Sequence, residues 1–114
     1  MALHYDLGPI LQTYNDDQAL VKAGLVVFVE ESKDWLKRIK KGINDKDYNC
    51  VADSTTLLMP SLEFLGMEQA IEEALAIDQW VKEQGKTKAI KETFKIFKER
   101  VKCARKEIKK DFSL

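Results

Sequence analysis

From Asn15 to the C-terminus the apolar positions recur every three or four residues, the period of amphipathic helices. Val21, Leu25, Phe28, Ser32, Trp35, Leu36 and Ile39 form the first such stripe. Asn15, with Gln18 three residues on, makes a capping-box-like start, and Gly42 predicts an end in a left-handed cap. The polar turn Asn44-Asp45-Lys46-Asp47 follows, with Asp47 placed to cap the next helix. In that helix Tyr48, Val51, Thr55, Leu58, Leu62 and Leu65 form the inner stripe, and a neighbouring stripe of Ala52, Thr56, Met59 and Glu63 turns outward. Pro60 lies inside it and removes the amide that would bond the Thr56 carbonyl, so a bend is expected there, at a cost of about 3 kcal/mol in isolation.

Gly66 interrupts the pattern. A third helix is predicted from Met67 to Gln84, with Ala70, Ile71, Ala74, Ile77 and Val81 inward and Gly85 as its stop. The last helix begins near Thr87 and carries Ile90, Phe94, Phe97, Val101, Ala104, Ile108 and Phe112 at helical spacing. Connections of a few residues make consecutive helices antiparallel neighbours. The expected fold is therefore all-α, an up-down-up-down four-helix bundle forming one domain over residues 1–114. A short N-terminal segment, Asp6 to Tyr14, is expected across one end with Leu7, Ile10 and Leu11 packing down.

A chain of 114 residues buries roughly 65% of its unfolded surface and needs no staple. Cys50 and Cys103 are the only cysteines and His4 the only histidine, so neither a disulfide framework nor a zinc cluster is expected, and no cofactor. The longest apolar run, Leu25 to Val29, is far short of a membrane span, and Met1 to Leu7 lacks the pattern of a secretory signal. A soluble, cytoplasmic protein is the expectation. Trp35 and Trp80 are expected as half-buried packing residues, and Glu72, Glu73 and Asp78 as a solvated acidic face.

Charge is balanced overall, 19 basic against 19 acidic side chains, but unevenly spread. Residues 1–81 carry 7 Lys/Arg against 14 Asp/Glu, and residues 82–114 carry 12 against 5. Lys88, Lys91, Lys95, Lys98, Lys102, Arg105 and Lys109 form a basic stripe on the last helix. Such a stripe is either a solvated face or a footprint for nucleic acid or an acidic protein. The acidic remainder and the lack of interleaved aromatics argue against nucleic acid, so binding through this helix is kept as the alternative function.

The stretch Thr55-Thr56-Leu57-Leu58-Met59-Pro60-Ser61-Leu62-Glu63-Phe64-Leu65-Gly66 resembles the signature helix of the histidine phosphotransfer (HPt) domains. In one branch of that family it reads roughly Ala-His-x-Leu-Lys-Pro-Ser-Leu-x-x-x-Gly. Thr56 then stands where the phosphorylated histidine would be and Met59 where the lysine would be. Tyr5-Asp6-Leu7 with Ile10-Leu11, the Asn15-Asp16-Asp17 turn, Phe28-Val29-Glu30-Glu31 and Lys46-Asp47-Tyr48 resemble further phrases of the family in the same order.

The resemblance implies a bundle that takes part in two-component phosphorelay, whose partner is a response-regulator receiver domain or a hybrid sensor kinase. In the family a neutral imidazole attacks a receiver's aspartyl phosphate and later passes the group on. A threonine hydroxyl is a poor nucleophile without a base, and its phosphate ester is too stable to return the group to a carboxylate. Met59 supplies none of the countercharge that phosphoryl transfer requires. Relay through Asp53, Ser54 or His4 is the weaker reading, since an aspartyl phosphate needs a metal pocket of clustered carboxylates. The expectation is a monomeric pseudo-HPt domain, not an enzyme, that docks a receiver through Ala52, Thr56, Met59, Pro60 and Glu63 as a scaffold or decoy.

Overall fold

Helical periodicity becomes five helices in the computed structural model, which describes residues 5–13 and 17–114. They are α1 (Gly8–Thr13), α2 (Gln18–Asp45), α3 (Tyr48–Phe64), α4 (Glu68–Lys82) and α5 (Thr87–Asp111). The four long ones form an all-α, up-down-up-down bundle, and among the described residues there is no strand. α2 packs on α3 and α5, and α4 packs on the same two, so the helices form a ring in which α2 and α4 lie diagonally. At about 1.5 Å per residue, the 28 residues of α2 run the full 43 Å length of the molecule.

The inner stripes meet in one core. Phe28, Leu25 and Ile39 of α2, Leu58 and Leu62 of α3, Ile77 of α4 and Phe97 and Ile108 of α5 are all fully buried. Tyr48 and Phe112 are half-buried at the ends of their stripes, as are Ile71 and Val81 at the flanks of α4. Trp80 is buried more deeply than expected, at 4% exposure, and Trp35 is buried at 9%.

Helix boundaries differ from the expectation at three places. The Asn15 cap lies outside the described residues; Asp17 is the cap of α2, its carboxylate accepting from the Ala19 and Leu20 amides. Gly42 does not end α2. It is buried inside the helix, where a Cβ would stand 2.6 Å from Val51 Cγ2, so its service is to let the start of α3 approach. The left-handed residue is Lys46, with φ 55°. Gly85 likewise does not end α4, which stops at Lys82 while Gln84 takes the positive φ of 49°. Asp47 caps α3 as expected, accepting from the Cys50 amide at 3.1 Å, and α3 continues unbroken through Pro60.

One pole of the bundle ties both hairpin turns together. Tyr48 donates its hydroxyl to the Gly85 carbonyl at 2.8 Å, and Trp80 donates its indole N–H to the Lys86 carbonyl at 2.9 Å. The two rings pack with centroids 5.1 Å apart. Thr87 donates its hydroxyl to the Ile43 carbonyl at 2.9 Å, so α5 starts hydrogen-bonded to the end of α2.

The N-terminal segment closes the other pole. The Asp6 amide donates to the Leu65 carbonyl at 2.7 Å, while Leu7 and Leu11 pack half-buried against the core. The expected contributions of the Ile10 side chain and of Tyr14 lie outside what is described. Gly66 turns between α3 and α4 with φ +62°, and a Cβ there would stand 2.8 Å from the Asp6 carbonyl oxygen. A side chain would be both strained and displaced by the N-terminal strap.

Candidate functional site

The site is the outward face of α3, and the core decides which residues occupy it. Val51, Ser54, Thr55, Leu58 and Leu62 are buried. At about 100° per residue this turns Asp53, Thr56, Leu57, Pro60 and Glu63 away from the core, and all five are exposed. Thr56 thus stands in solvent, with Pro60 one turn on. Because Pro60 has no amide, the Thr56 carbonyl lacks its usual i+4 donor.

Ala52 and Met59 sit differently from the expected outward stripe. Both are half-buried, and Met59 packs against the core cluster, because the two positions fall on the flank of α3 rather than its crest. The exposed centre of the face is Thr56, Leu57 and Pro60, with Glu63 beside it. Leu57 is 53% exposed.

The face continues onto α2. Gly24 lies against the ring of the half-buried Phe64, with the place of its missing Cβ 2.6 Å from Cζ. Leu20 and Val27 flank Gly24 on the same side of α2 and are 54% and 50% exposed. The Gly42–Val51 and Gly24–Phe64 contacts fix the antiparallel register, which brings Val27 level with Pro60 and Ser61. Leu57, Pro60 and Phe64 on one helix and Leu20 and Val27 on the other therefore compose a mainly apolar two-helix surface next to Thr56. Sequence periodicity did not identify Leu20, Gly24, Val27, Leu57 or Phe64 as part of it. The available signal was their being apolar, or glycine, outside the core stripes.

The α3 face carries no positive charge of its own. No Lys or Arg occurs anywhere from Asp47 to Val81, so neither α3 nor the core of α4 carries a cation of its own, while Asp53 and Glu63 are exposed on α3. Ser54, a candidate nucleophile, is buried at 3% exposure, and His4 lies outside the described residues. Among the described residues no group of three His, Cys, Asp or Glu side chains converges as a metal site, and no helix is long and apolar enough to cross a membrane.

Away from this face, Glu73 departs from the expected solvated acidic patch. Arg100 Nε donates to both of its carboxylate oxygens, at 2.9 and 3.0 Å, joining α5 to α4. Asp78 pairs with Lys82 within α4 at 3.3 Å. Cys50 and Cys103 are free thiols, both half-buried. No family model, curated protein or solved structure matches the chain.

Proposed function

We propose that this chain is a pseudo-HPt domain, a phosphotransfer-type bundle that docks a receiver domain without relaying phosphate. Its partner is a response regulator or a hybrid sensor kinase, and its role is that of a scaffold or decoy, not an enzyme. One observation carries the reading: the residue at the family's histidine position, Thr56, is exposed on the crest of α3 beside an apolar surface shared with α2. Exposed apolar side chains contributed by two neighbouring helices, Leu57 and Pro60 on one and Leu20 and Val27 on the other, are the composition of a recognition surface. The reactive groups are replaced there, since a threonine without a neighbouring base does not take up a phosphoryl group and Met59 offers it no charge.

The reading is tested by calorimetric titration of the monomeric protein with a panel of receiver domains, each with and without beryllofluoride. Saturable one-to-one binding to at least one receiver is expected, lost in a Val27→Asp, Leu57→Asp variant that keeps its helical circular dichroism. Absence of binding to every receiver from the same genome overturns it.

A further inference from the structure

We propose a second site, independent of the α3 face: an oligophosphate-binding furrow along the seam between α2 and α5. A furrow of about 270 Å³ opens there, lined by Lys33, Lys37 and Lys40 from α2 and by Lys98, Lys102 and Arg105 from α5. The only other lining residue is Leu36, buried at its floor. On each helix the three cations follow the same spacing, i, i+4 and i+7, which puts them on one face over about 10 Å of helix. The two rows face one another across the seam.

The sequence pattern concealed this arrangement because the basic stripe of α5 is not a single solvated face. Lys98 and Arg105 are half-buried and turn toward α2, and α2, although it lies in the acidic part of the chain, presents its lysines there. Among the described residues no carboxylate lines the furrow. Among the described residues none of the five lysines forms an ion pair. Arg105 donates Nε to the Val29 carbonyl at 3.0 Å, which holds its guanidinium over the seam without neutralising it.

Six uncompensated cations this close repel one another, and like charges at i, i+4 destabilise the helices that carry them. A polyanion laid along the furrow would relieve that repulsion and find charge-assisted hydrogen bonds from both walls. The rows extend over about 10 Å, longer than a triphosphate chain, so the flexible lysines of both walls can converge on its linked groups. Duplex DNA fits less well: it is a wide convex rod that meets the rim of a furrow sunk between helices. Single strands are disfavoured too, because no aromatic side chain lines the furrow to stack on bases. The occupant is thus a compact molecule with three or more linked or clustered phosphates.

The experiment is calorimetry and thermal melting of the full chain with inorganic tripolyphosphate, orthophosphate and a duplex oligonucleotide, at low and at physiological salt. Tripolyphosphate is expected to bind one-to-one and raise the melting temperature, with affinity falling as salt rises and about tenfold or more above that of orthophosphate. Lys37→Gln with Lys102→Gln, one change on each wall, should weaken tripolyphosphate by about tenfold. Lys88→Gln with Lys91→Gln, on α5 but outside the furrow, should leave it within about twofold. Both positions in each pair are surface lysines, and unchanged circular dichroism certifies the fold. The proposal is overturned by no tripolyphosphate binding at low salt, by equal losses in the two variants, or by duplex binding tighter than tripolyphosphate. Receiver docking through α3 is read separately, so neither failure imitates the other.

Discussion

Gly24 of α2 stands under the ring of Phe64 of α3, with its absent Cβ 2.6 to 3.1 Å from three ring carbons. A glycine in the middle of a helix normally costs stability, about 0.5–1 kcal/mol relative to alanine. Here the space it leaves lets an aromatic ring lie over α2 and extend the apolar surface between Leu20 and Val27.

Gly24→Ala should therefore lower stability despite its better helix propensity, by about 1 kcal/mol, because the ring must swing away from its seat. Adding Phe64→Leu removes the overlapping carbons, so the double variant should be less destabilised than the two single effects together. Urea denaturation of the four proteins measures this. Simple additivity would show that the two residues do not interact.

Thr56→His with Met59→Lys supplies the imidazole and the ammonium that a phosphotransfer site of the proposed kind requires. Since Thr56 is exposed, a histidine there should change stability by no more than about 0.5 kcal/mol. Met59 is half-buried, and a lysine can keep its stem in place while its ammonium reaches solvent. The double variant should acquire acid-labile label from a phosphorylated receiver that binds the parent, and the parent should acquire none. Binding without any label on the double variant would mean that the receiver docks in another orientation.

Thr55, next to Thr56 but on the core side, is 3% exposed, and its Oγ1 has no hydrogen-bond partner among the described residues. A buried hydroxyl in that state costs about 1–3 kcal/mol. Thr55→Val keeps the shape and removes the polar atom, so it should stabilise the bundle by about 1 kcal/mol in the same assay. A loss of stability would show that the hydroxyl is satisfied in solution.

Tyr5 links the N-terminal strap to the end of α5, donating to Asp111 Oδ2 at 2.7 Å. Burial, then the hydrogen bond to Asp111 and the charge of that carboxylate, push its pKa from 10.0 up to about 12. The unfolded chain ionises first, so the stability contributed by Tyr5 is complete below pH 10.0 and is lost as pH rises toward about 12. The difference in unfolding free energy between the parent and Tyr5→Phe should be up to about 1 kcal/mol near neutrality. It should close over that alkaline window, the lysines cancelling between the two proteins. A difference independent of pH would remove Asp111 as the partner in solution.

Much of the bundle was legible because its core obeys a single period: of the residues spaced to fall inward from Val21 to Ile108, all but the half-buried Tyr48, Ile71 and Val81 are buried. Thr56 outward followed from the same arithmetic. Helix ends were harder. Gly42 and Gly85 look like stops, but each serves a close approach, against Val51 and Trp80, and the positive dihedrals fall on Lys46 and Gln84. A glycine's two uses, left-handed backbone and absent side chain, cannot be told apart along one helix. Met59 shows a different limit, for a position on the flank of a stripe is settled by the neighbouring helix. The Leu20–Val27 extension, the Glu73–Arg100 bridge and the facing lysine rows all depend on interhelical register, which periodicity within a helix does not contain.

The bonds from Tyr48, Trp80 and Thr87 clasp both hairpin connections at a single end of the molecule. The pair α2–α3 and the pair α4–α5 are thereby tied by side chains at this pole and by the covalent turn at Gly66 at the other. The chain ends at that second pole are the start of α2 and the end of α5, and there the hydrogen bond from Tyr5 to Asp111 joins the N-terminal strap to the last helix. Amides in the first turn of α2 and the last turn of α5 should therefore exchange with solvent before those near Gly85, and the Leu20 edge of the exposed surface should loosen before its Pro60 centre.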